Sequence, residues 1–281
     1  MLWLGVVFGG IVGVSLGLTG GGGAIFAVPM MVYGLGRPAR EAVVVSLVAV
    51  GVTSLIGFLQ KWRRGEAELP TGGLFALAGM VGAPCGTWLA RQIPESMLML
   101  LFSVLMLSIA GVMWGRARRA SSSTQVCIPL DPATASDSYR SDGPGCQRDA
   151  SGNLILTSRC ARLLLLAGVF AGILSGMFGV GGGFLIVPAL VLFSRMSMLR
   201  AVGTSLMVIA IVSFSAVFSQ VSAGQQFPWL LTLTFVAGGL MGLWGGQLVG
   251  QRLSAALLQK LFAVAILGVG LLVLARNVMS G

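Results

Sequence analysis

Two glycine clusters are the residues of this sequence best suited to form a binding site. The first is Gly20–Gly23 and the second is Gly179–Gly183, which also contains Val180; an apolar stretch ending in Val-Pro follows each. Glycine interrupts a helix and leaves backbone N–H and C=O groups without intrahelical partners. Backbone N–H groups at the start of the next segment can bind an anion without a buried cation. The clusters therefore predict recognition of a small anion.

Other kinds of chemistry have little support in the sequence. Neither cluster is followed by the Lys-Ser/Thr of a phosphate-binding loop, and Gly179–Phe184 lacks the last glycine of a dinucleotide fingerprint. The chain has no histidine, and its four cysteines do not follow a metal-ligand spacing. We therefore expect neither an enzyme nor a protein that carries a metal.

Hydroxyl side chains recur at matched positions in two apolar segments that follow the clusters. Ser46 and Ser205 are one such pair, Ser54 and Ser213 are another, and Thr204 adjoins Ser205. A hydroxyl can donate a hydrogen bond to an oxyanion, although in membrane helices it more often bonds a neighbouring helix or its own backbone. The candidate substrate-binding residues are Gly20, Gly21, Gly22, Gly23, Gly179, Gly181, Gly182, Gly183, Ser46, Thr204 and Ser205.

Acidic residues are scarce and unevenly distributed. Only eight occur in 281 residues, and none follows Asp149. Cation carriers and proton relays place acids within the membrane, so this distribution argues against a dedicated cation site. Glu41 is the candidate for proton coupling. The alternative is that it only stabilises the start of a helix, where a negative charge is favourable.

The elements that position these residues are membrane helices. The chain is 56% hydrophobic and 9% charged, against about 25% charged residues in a typical soluble domain. No charged residue lies between Arg200 and Arg252, and about 20 apolar residues suffice for one span. The net charge of +10 comes from bases between apolar runs, which does not indicate nucleic-acid binding. The sequence predicts an all-α polytopic integral membrane protein in a lipid bilayer.

The chain contains an internal duplication. Gly20 and Gly179, and Ser46 and Ser205, are each 159 positions apart, and the two Val-Pro pairs keep the same offset. Each repeat has about five membrane segments, of which the first two are short and broken at the glycine cluster. The predicted segments are 2–19, 24–36, 42–60, 69–90 and 96–115, then 163–178, 184–194, 201–219, 228–250 and 254–275. Residues 1–115 form the first repeat, 116–162 a polar linker, and 163–281 the second repeat.

The distribution of lysine and arginine predicts that the two repeats are inverted. With an odd number of crossings per repeat, 14 of the 18 cations fall inside and only Arg37, Arg40, Arg91 and Arg276 outside; an even number gives 11 to 7. The linker is then cytoplasmic and the termini are outside. The first two segments of each repeat either both cross or form a re-entrant hairpin. At 1.5 Å per residue, 24–36 and 184–194 are too short for a hydrocarbon core of about 30 Å.

Small residues also recur every four positions in two predicted spans. The rows are Gly238, Gly242, Gly246 and Gly250, and Gly82, Gly86 and Ala90. Such rows allow helix backbones to approach closely in lipid. Packing within the monomer is the expected use, and a homodimer seam is the alternative.

The duplicated glycine-rich and Val-Pro motif resembles that of the TauE/SafE family of sulfite exporters. The most similar part is Gly172–Pro188, Gly-Ile-Leu-Ser-Gly-Met-Phe-Gly-Val-Gly-Gly-Gly-Phe-Leu-Ile-Val-Pro, and the resemblance covers nearly the whole chain. The first copy lacks the aromatic residue before the glycines. The resemblance implies a plasma-membrane permease for small sulfur-containing anions such as sulfite, sulfonate or thiosulfate, without an organic cofactor.

The function expected from these observations is export by alternating access at a site between two glycine-broken hairpins. Expelling one negative charge from a negative cytoplasm gains about 2.3 kcal/mol per 100 mV, which favours export by an uncoupled carrier. One alternative is proton-coupled uptake of the same anions through Glu41. Another is a membrane scaffold or assembly factor in which the glycines serve packing alone.

Overall fold

The fold is taken from a computed structural model. It describes residues 2–21, 23–122, 147–148, 154–155, 158–181, 183, 186–187, 190, 198–224, 228–250, 267–268 and 270. The helices are α1 (Leu2–Thr19), α2 (Ala24–Pro29), α3 (Ala39–Arg63), α4 (Leu69–Gln92), α5 (Glu95–Ser122), α6 (Ser158–Phe178), α7 (Met198–Ser222) and α8 (Trp229–Gly250). Strands β1 (Gln147–Arg148) and β2 (Leu154–Ile155) pair antiparallel within the linker.

The described helices confirm an all-α polytopic membrane protein. Five of them, α3, α4, α6, α7 and α8, are long and apolar enough to cross a membrane, while α1 and the first half of α5 contribute shorter apolar stretches. Helical structure extends into the predicted linker 116–162 from both sides, because α5 continues to Ser122 and α6 begins at Ser158. The predicted segments 184–194 and 254–275 lie mostly outside the described residues.

Proline and glycine determine where the short second segment changes its geometry. Helix α2 ends at Pro29, and a π-helical turn, Met30–Gly34, continues it. Because proline has no N–H group, the regular hydrogen-bond ladder is interrupted there. Gly36 has a φ of +64°, and α3 begins after Pro38. The predicted segment 24–36 is therefore an 11-residue helical stretch with a change of winding in the middle.

Helices α1 and α8 pack side by side and run in the same direction. The backbone of α1 meets α8 at successive glycines, so a Cβ placed on Gly9 would lie 3.0 Å from the carbonyl carbon of Phe235, and one on Gly13 would lie 2.8 Å from that of Gly239. Helices approach this closely only where side chains are absent. The row Gly238, Gly242 and Gly246 faces α1, which is packing within one chain.

Helices α4 and α6 repeat this arrangement with the two halves exchanged. A Cβ on Gly172 would lie 2.7 Å from the Cα atom of Gly79, and one on Gly176 would lie 3.0 Å from the carbonyl carbon of Ala83. Gly13 and Gly172 are 159 positions apart, and Gly79 and Gly239 are 160 apart. The same glycine seam thus occurs twice, each time between the first helix of one half and the fourth segment of the other.

The matched helices α3 and α7 contact each other at the centre and run in opposite directions. Gly51 packs against Ser213 and Gly57 packs against Leu206, so residue numbers increase along α3 as they decrease along α7. A larger share of residues is buried in the apolar stretches of α3 and α7, 67%, than in those of the other spanning helices, 44%. These two helices therefore form the core around which the others pack.

The outer surface suits a lipid environment. Large apolar side chains are exposed along the spanning helices, among them Leu77, Leu166 and Phe218, and such a surface in water would be an association site. Exposed tryptophans lie near helix ends at Trp3, Trp62, Trp88 and Trp229. Tryptophan at such positions is typical of the boundary between membrane and water.

Candidate functional site

Both glycine clusters break the chain in the same way. Helix α1 ends before Gly20 and helix α6 ends before Gly179, and these glycines have φ values of +73° and +70°. Their N–H groups donate to the carbonyl oxygens of Leu16, at 2.8 Å, and Ser175, at 2.9 Å. Glycine is the usual residue at such a helix terminus because side chains strain a left-handed backbone. The predicted interruption of the helices is confirmed at both clusters.

Each break is held by the opposite half of the chain. The hydroxyl of Ser46 donates to the carbonyl oxygen of Gly179 at 2.5 Å, and the hydroxyl of Ser205 donates to that of Gly20 at 2.8 Å. All four residues are buried. The duplication therefore produces two equivalent contacts that cross between the halves.

The matched serines also have a second acceptor within their own helices. Ser46 Oγ lies 2.9 Å from the carbonyl oxygen of Val43, and Ser205 Oγ lies 2.8 Å from that of Val202. A serine hydroxyl has only one proton to donate. In this conformation it serves a backbone carbonyl, so the structure gives Ser46 and Ser205 a positioning contact rather than a free donor for an anion.

We expect Ser46→Ala to destabilise the protein by about 1–3 kcal/mol, because it leaves the buried carbonyl of Gly179 without this partner. Ser205→Ala should have a similar effect through Gly20. The measurement is the melting temperature of the purified protein in detergent. Ser108→Ala is the control, since Ser108 is exposed and donates only to Val104 within α5. Equal melting temperatures for all three variants and the parent protein would contradict the crossing contacts.

The two clusters lie against each other in the buried centre. A Cβ on Gly21 would lie 2.6 Å from the carbonyl oxygen of Gly183, and one on Gly183 would lie 2.8 Å from the Cα atom of Gly21. Gly23 packs on the backbone of α1 instead. Gly22 and Gly182 lie outside the described residues. The structure thus brings Gly20, Gly21, Gly179, Gly181 and Gly183 into one buried region.

Two other predicted site residues have contacts away from the clusters. The hydroxyl oxygen of Thr204 accepts a hydrogen bond from the N–H of Glu68 at 2.9 Å, at the start of α4. Glu41 lies in the first turn of α3, 3.7 Å from the guanidinium of Arg37, and both side chains are more than a third exposed. A surface ion pair of this kind contributes little to stability. The hydroxyl of Thr204 and the carboxylate of Glu41 thus have partners outside the glycine clusters.

A small opening of about 20 Å³, enough for one water molecule, adjoins the second cluster, and the sequence did not predict it. Its lining residues are Arg40, Val43, Ala90, Arg91, Leu98, Met177 and Gln220. Val43 is also the residue that a Cβ on Gly179 would meet, 2.7 Å from the Val43 Cα atom. The lining residues include two arginines and no acidic residue, so their net charge is positive. Arg40 and Arg91 are 51 positions apart in the sequence. The one hint in the sequence that they could meet was that both were predicted to lie on the outer side of the membrane.

Cations at the other end of α3 also have acidic partners. Lys61 Nζ lies 2.6 Å from a carboxylate oxygen of Glu66, and Arg200 lies 3.8 Å from one of Glu68. These residues join the loop after α3 to the start of α7. Among the residues that the structure describes, no three His, Cys, Asp or Glu side chains lie together in a way that could hold a metal ion.

Comparison with known proteins identifies the family of this chain. The family described as "Sulfite exporter TauE/SafE" matches residues 5–273. A "Probable membrane transporter protein" of Xylella fastidiosa (strain Temecula1) is 31% identical over 96% of this chain and 93% of its own length. The "Probable membrane transporter protein YdhB" of Bacillus subtilis is 24% identical over 84% and 85%. No solved structure shows significant similarity. The chain belongs to the TauE/SafE sulfite exporter family of membrane transporters.

Proposed function

We propose that this transporter carries small sulfur-containing anions, of the sulfite, sulfonate or thiosulfate type, out of the cytoplasm. The observation that carries this proposal is the meeting of two glycine clusters at the buried centre, each held by a serine of the opposite half. Broken helices at mid-depth are where transporters bind their substrates. The substrate-binding set predicted from sequence remains part of the proposal, with Ser46 and Ser205 now assigned to holding the clusters.

The charge distribution supports an anionic substrate. The pocket beside Gly179 has Arg40 and Arg91 in its lining, and an opening of positive charge raises the local concentration of anions. The carboxylates whose side chains the structure describes, Glu41, Glu66 and Glu68, all lie at helix ends. A cation carrier would need acids within the membrane.

We propose that the two repeats have opposite orientations in the plasma membrane, with the linker in the cytoplasm and the termini outside. The opposite directions of α3 and α7 support this arrangement, as does the exchange of halves between the two glycine seams. Inverted repeats of this kind alternate between two conformations when one half rocks against the other. The substrate site would then open first to the cytoplasm and afterwards to the outside of the membrane.

The test is flux of radiolabelled sulfite in proteoliposomes at an imposed membrane potential. We expect protein-dependent efflux that increases when the compartment containing sulfite is made negative, since each expelled charge gains about 2.3 kcal/mol per 100 mV. Protein-free liposomes are the control, and ethanesulfonate and thiosulfate are the competing substrates. Sulfite flux that does not respond to potential would contradict electrogenic export.

The same experiment decides between export and the two alternatives. Uptake driven by a proton gradient and lost in Glu41→Gln would support proton-coupled uptake instead. Absence of protein-dependent flux for all three anions would favour the scaffold. The scaffold alternative is supported by the packing of two glycines. Side chains added at Gly20 and Gly179 would meet Val202 and Val43, so packing alone accounts for these glycines.

A further inference from the structure

Two buried hydroxyls at matched positions lack hydrogen-bond partners. Ser54 in α3 and Ser213 in α7 are fully buried, and neither Oγ atom has a hydrogen-bond partner among the described residues. They are 159 positions apart, the offset that also relates Gly20 to Gly179. Buried polar groups in native proteins are nearly always hydrogen-bonded, so each exception requires an explanation.

Other buried hydroxyls donate to a backbone carbonyl of their own helix. Thr53 donates to the carbonyl oxygen of Ala49 at 2.7 Å, Thr87 to that of Ala83 at 3.0 Å, and Ser103 to that of Leu100 at 2.7 Å. Hydroxyls in membrane helices commonly form such bonds to the preceding turn. Ser54 and Ser213 therefore keep a donor available inside the protein. Ser175 in α6 does so too, but its matched position in the first half is Leu16, so Ser54 and Ser213 are the matched pair.

The position of Ser213 connects this pair to the second glycine cluster. A Cβ on Gly181 would lie 3.1 Å from Ser213 Oγ, and it would lie 3.0 Å from side-chain atoms of both Val50 and Ile209. Val50 and Ile209 are themselves related by the offset of 159. Gly181 is thus adjacent to the contact between α3 and α7, and Ser213 presents its hydroxyl there.

We propose that Ser54 and Ser213 are the side-chain donors to the transported oxyanion, one from each half of the chain. This inference rests on the function proposed above and adds to it the residues that contact the substrate. An oxyanion presents several acceptor oxygens and no donor, which suits two hydroxyls that have unused protons. Because Ser46 and Ser205 donate to backbone carbonyls, they do not compete for this role.

A sodium ion is the other ligand that two hydroxyl oxygens can bind, since hard cations take oxygen ligands. The described carboxylates lie at helix ends, away from Ser54 and Ser213. Buried cations are normally paired with acids. The oxyanion is therefore the favoured ligand, and the experiment includes sodium as a separate arm.

The experiment compares Ser54→Ala, Ser213→Ala and Ser54→Thr with Ser103→Ala in the full-length protein. Ser103 is the matched control because it is buried but its hydroxyl bonds within α5. One measurement is the half-saturating concentration for sulfite flux in proteoliposomes. The other is the rise in melting temperature caused by sulfite, or by ethanesulfonate, in sodium-free choline buffer.

We expect each alanine variant at 54 or 213 to raise the half-saturating concentration about tenfold, and to lose most of the thermal shift. The melting temperature without ligand should stay the same or increase, because the change removes a buried hydroxyl that has no partner. Ser54→Thr should retain binding, and Ser103→Ala should bind normally. A purely structural serine would instead lower the ligand-free melting temperature and leave the half-saturating concentration unchanged.

The outcomes distinguish this inference from the proposed function. Normal sulfite flux and thermal shift in both alanine variants would overturn the assignment of the serines and leave anion export intact. A thermal shift with sodium alone that the alanine variants lose would overturn the choice of an oxyanion. No flux and no thermal shift with the parent protein would overturn both proposals.

Discussion

Gly179→Ala is expected to destabilise the protein by about 2–5 kcal/mol. A side chain in the left-handed conformation costs about 1–2 kcal/mol, and overpacking against a rigid neighbour adds about 1–3 kcal/mol. Here φ is +70°, and the new Cβ would lie 2.7 Å from the Cα atom of Val43. Because the obstacle is the backbone of α3, no rotamer change can relieve it. The measurement is the melting temperature in detergent, together with the yield of monodisperse protein.

Gly36→Ala separates the two contributions to this effect. Gly36 has a φ of +64°, but a Cβ there would meet no atom within 4 Å. It should therefore show only the backbone strain, about 1–2 kcal/mol. Gly20→Ala should behave like Gly179→Ala, since its Cβ would lie 2.9 Å from the Cα atom of Val202. If Gly179→Ala proved no more harmful than Gly36→Ala, the contact between the second break and α3 would be wrong.

Gly246→Ala is expected to cost about 3 kcal/mol, because it separates α8 from α1. Its Cβ would lie 2.9 Å from the Cα atom of Val14. Gly245 precedes it in the same helix, yet a Cβ there would meet no atom within 4 Å. Gly245→Ala should be neutral or slightly stabilising, since alanine favours a helix by up to about 1 kcal/mol over glycine. The two melting temperatures, measured side by side, test which face of α8 is packed.

A change of oligomeric state in Gly246→Ala would contradict the packing of α8 against α1 within one chain. If the glycine row served a homodimer seam, Gly246→Ala would dissociate the dimer with little change in the stability of the monomer. Light scattering of the purified protein in detergent distinguishes this from a loss of melting temperature at constant mass. We expect the second result, because α1 occupies the face that Gly246 presents.

The sequence patterns predicted the positions of the long helices well. The predicted segment 42–60 corresponds to α3, and 69–90 corresponds to α4, because charged residues mark the ends of these apolar runs. The boundary at 116 was less informative. Helix α5 continues to Ser122, since arginine and alanine favour a helix whether or not lipid surrounds it.

The partners of the matched residues were not predictable from the duplication. The offset of 159 relates Ser46 to Ser205 and Gly20 to Gly179, but it does not state which serine meets which glycine. The structure crosses them between the halves, because α3 packs beside the second break and α7 beside the first. The pocket lined by Arg40 and Arg91 is formed by residues of five helices, α3 to α7, so no local pattern could indicate it.

The crossing of Ser205 to Gly20 has a consequence for synthesis. The ribosome delivers the first break to the membrane 185 residues before the serine that will hold it. Until then the carbonyl of Gly20 has to be satisfied by water, lipid headgroups or an insertion chaperone. The first half therefore cannot form this contact until the second half has been synthesised. If the two halves are expressed as separate polypeptides in one cell, we expect them to assemble into a functional protein.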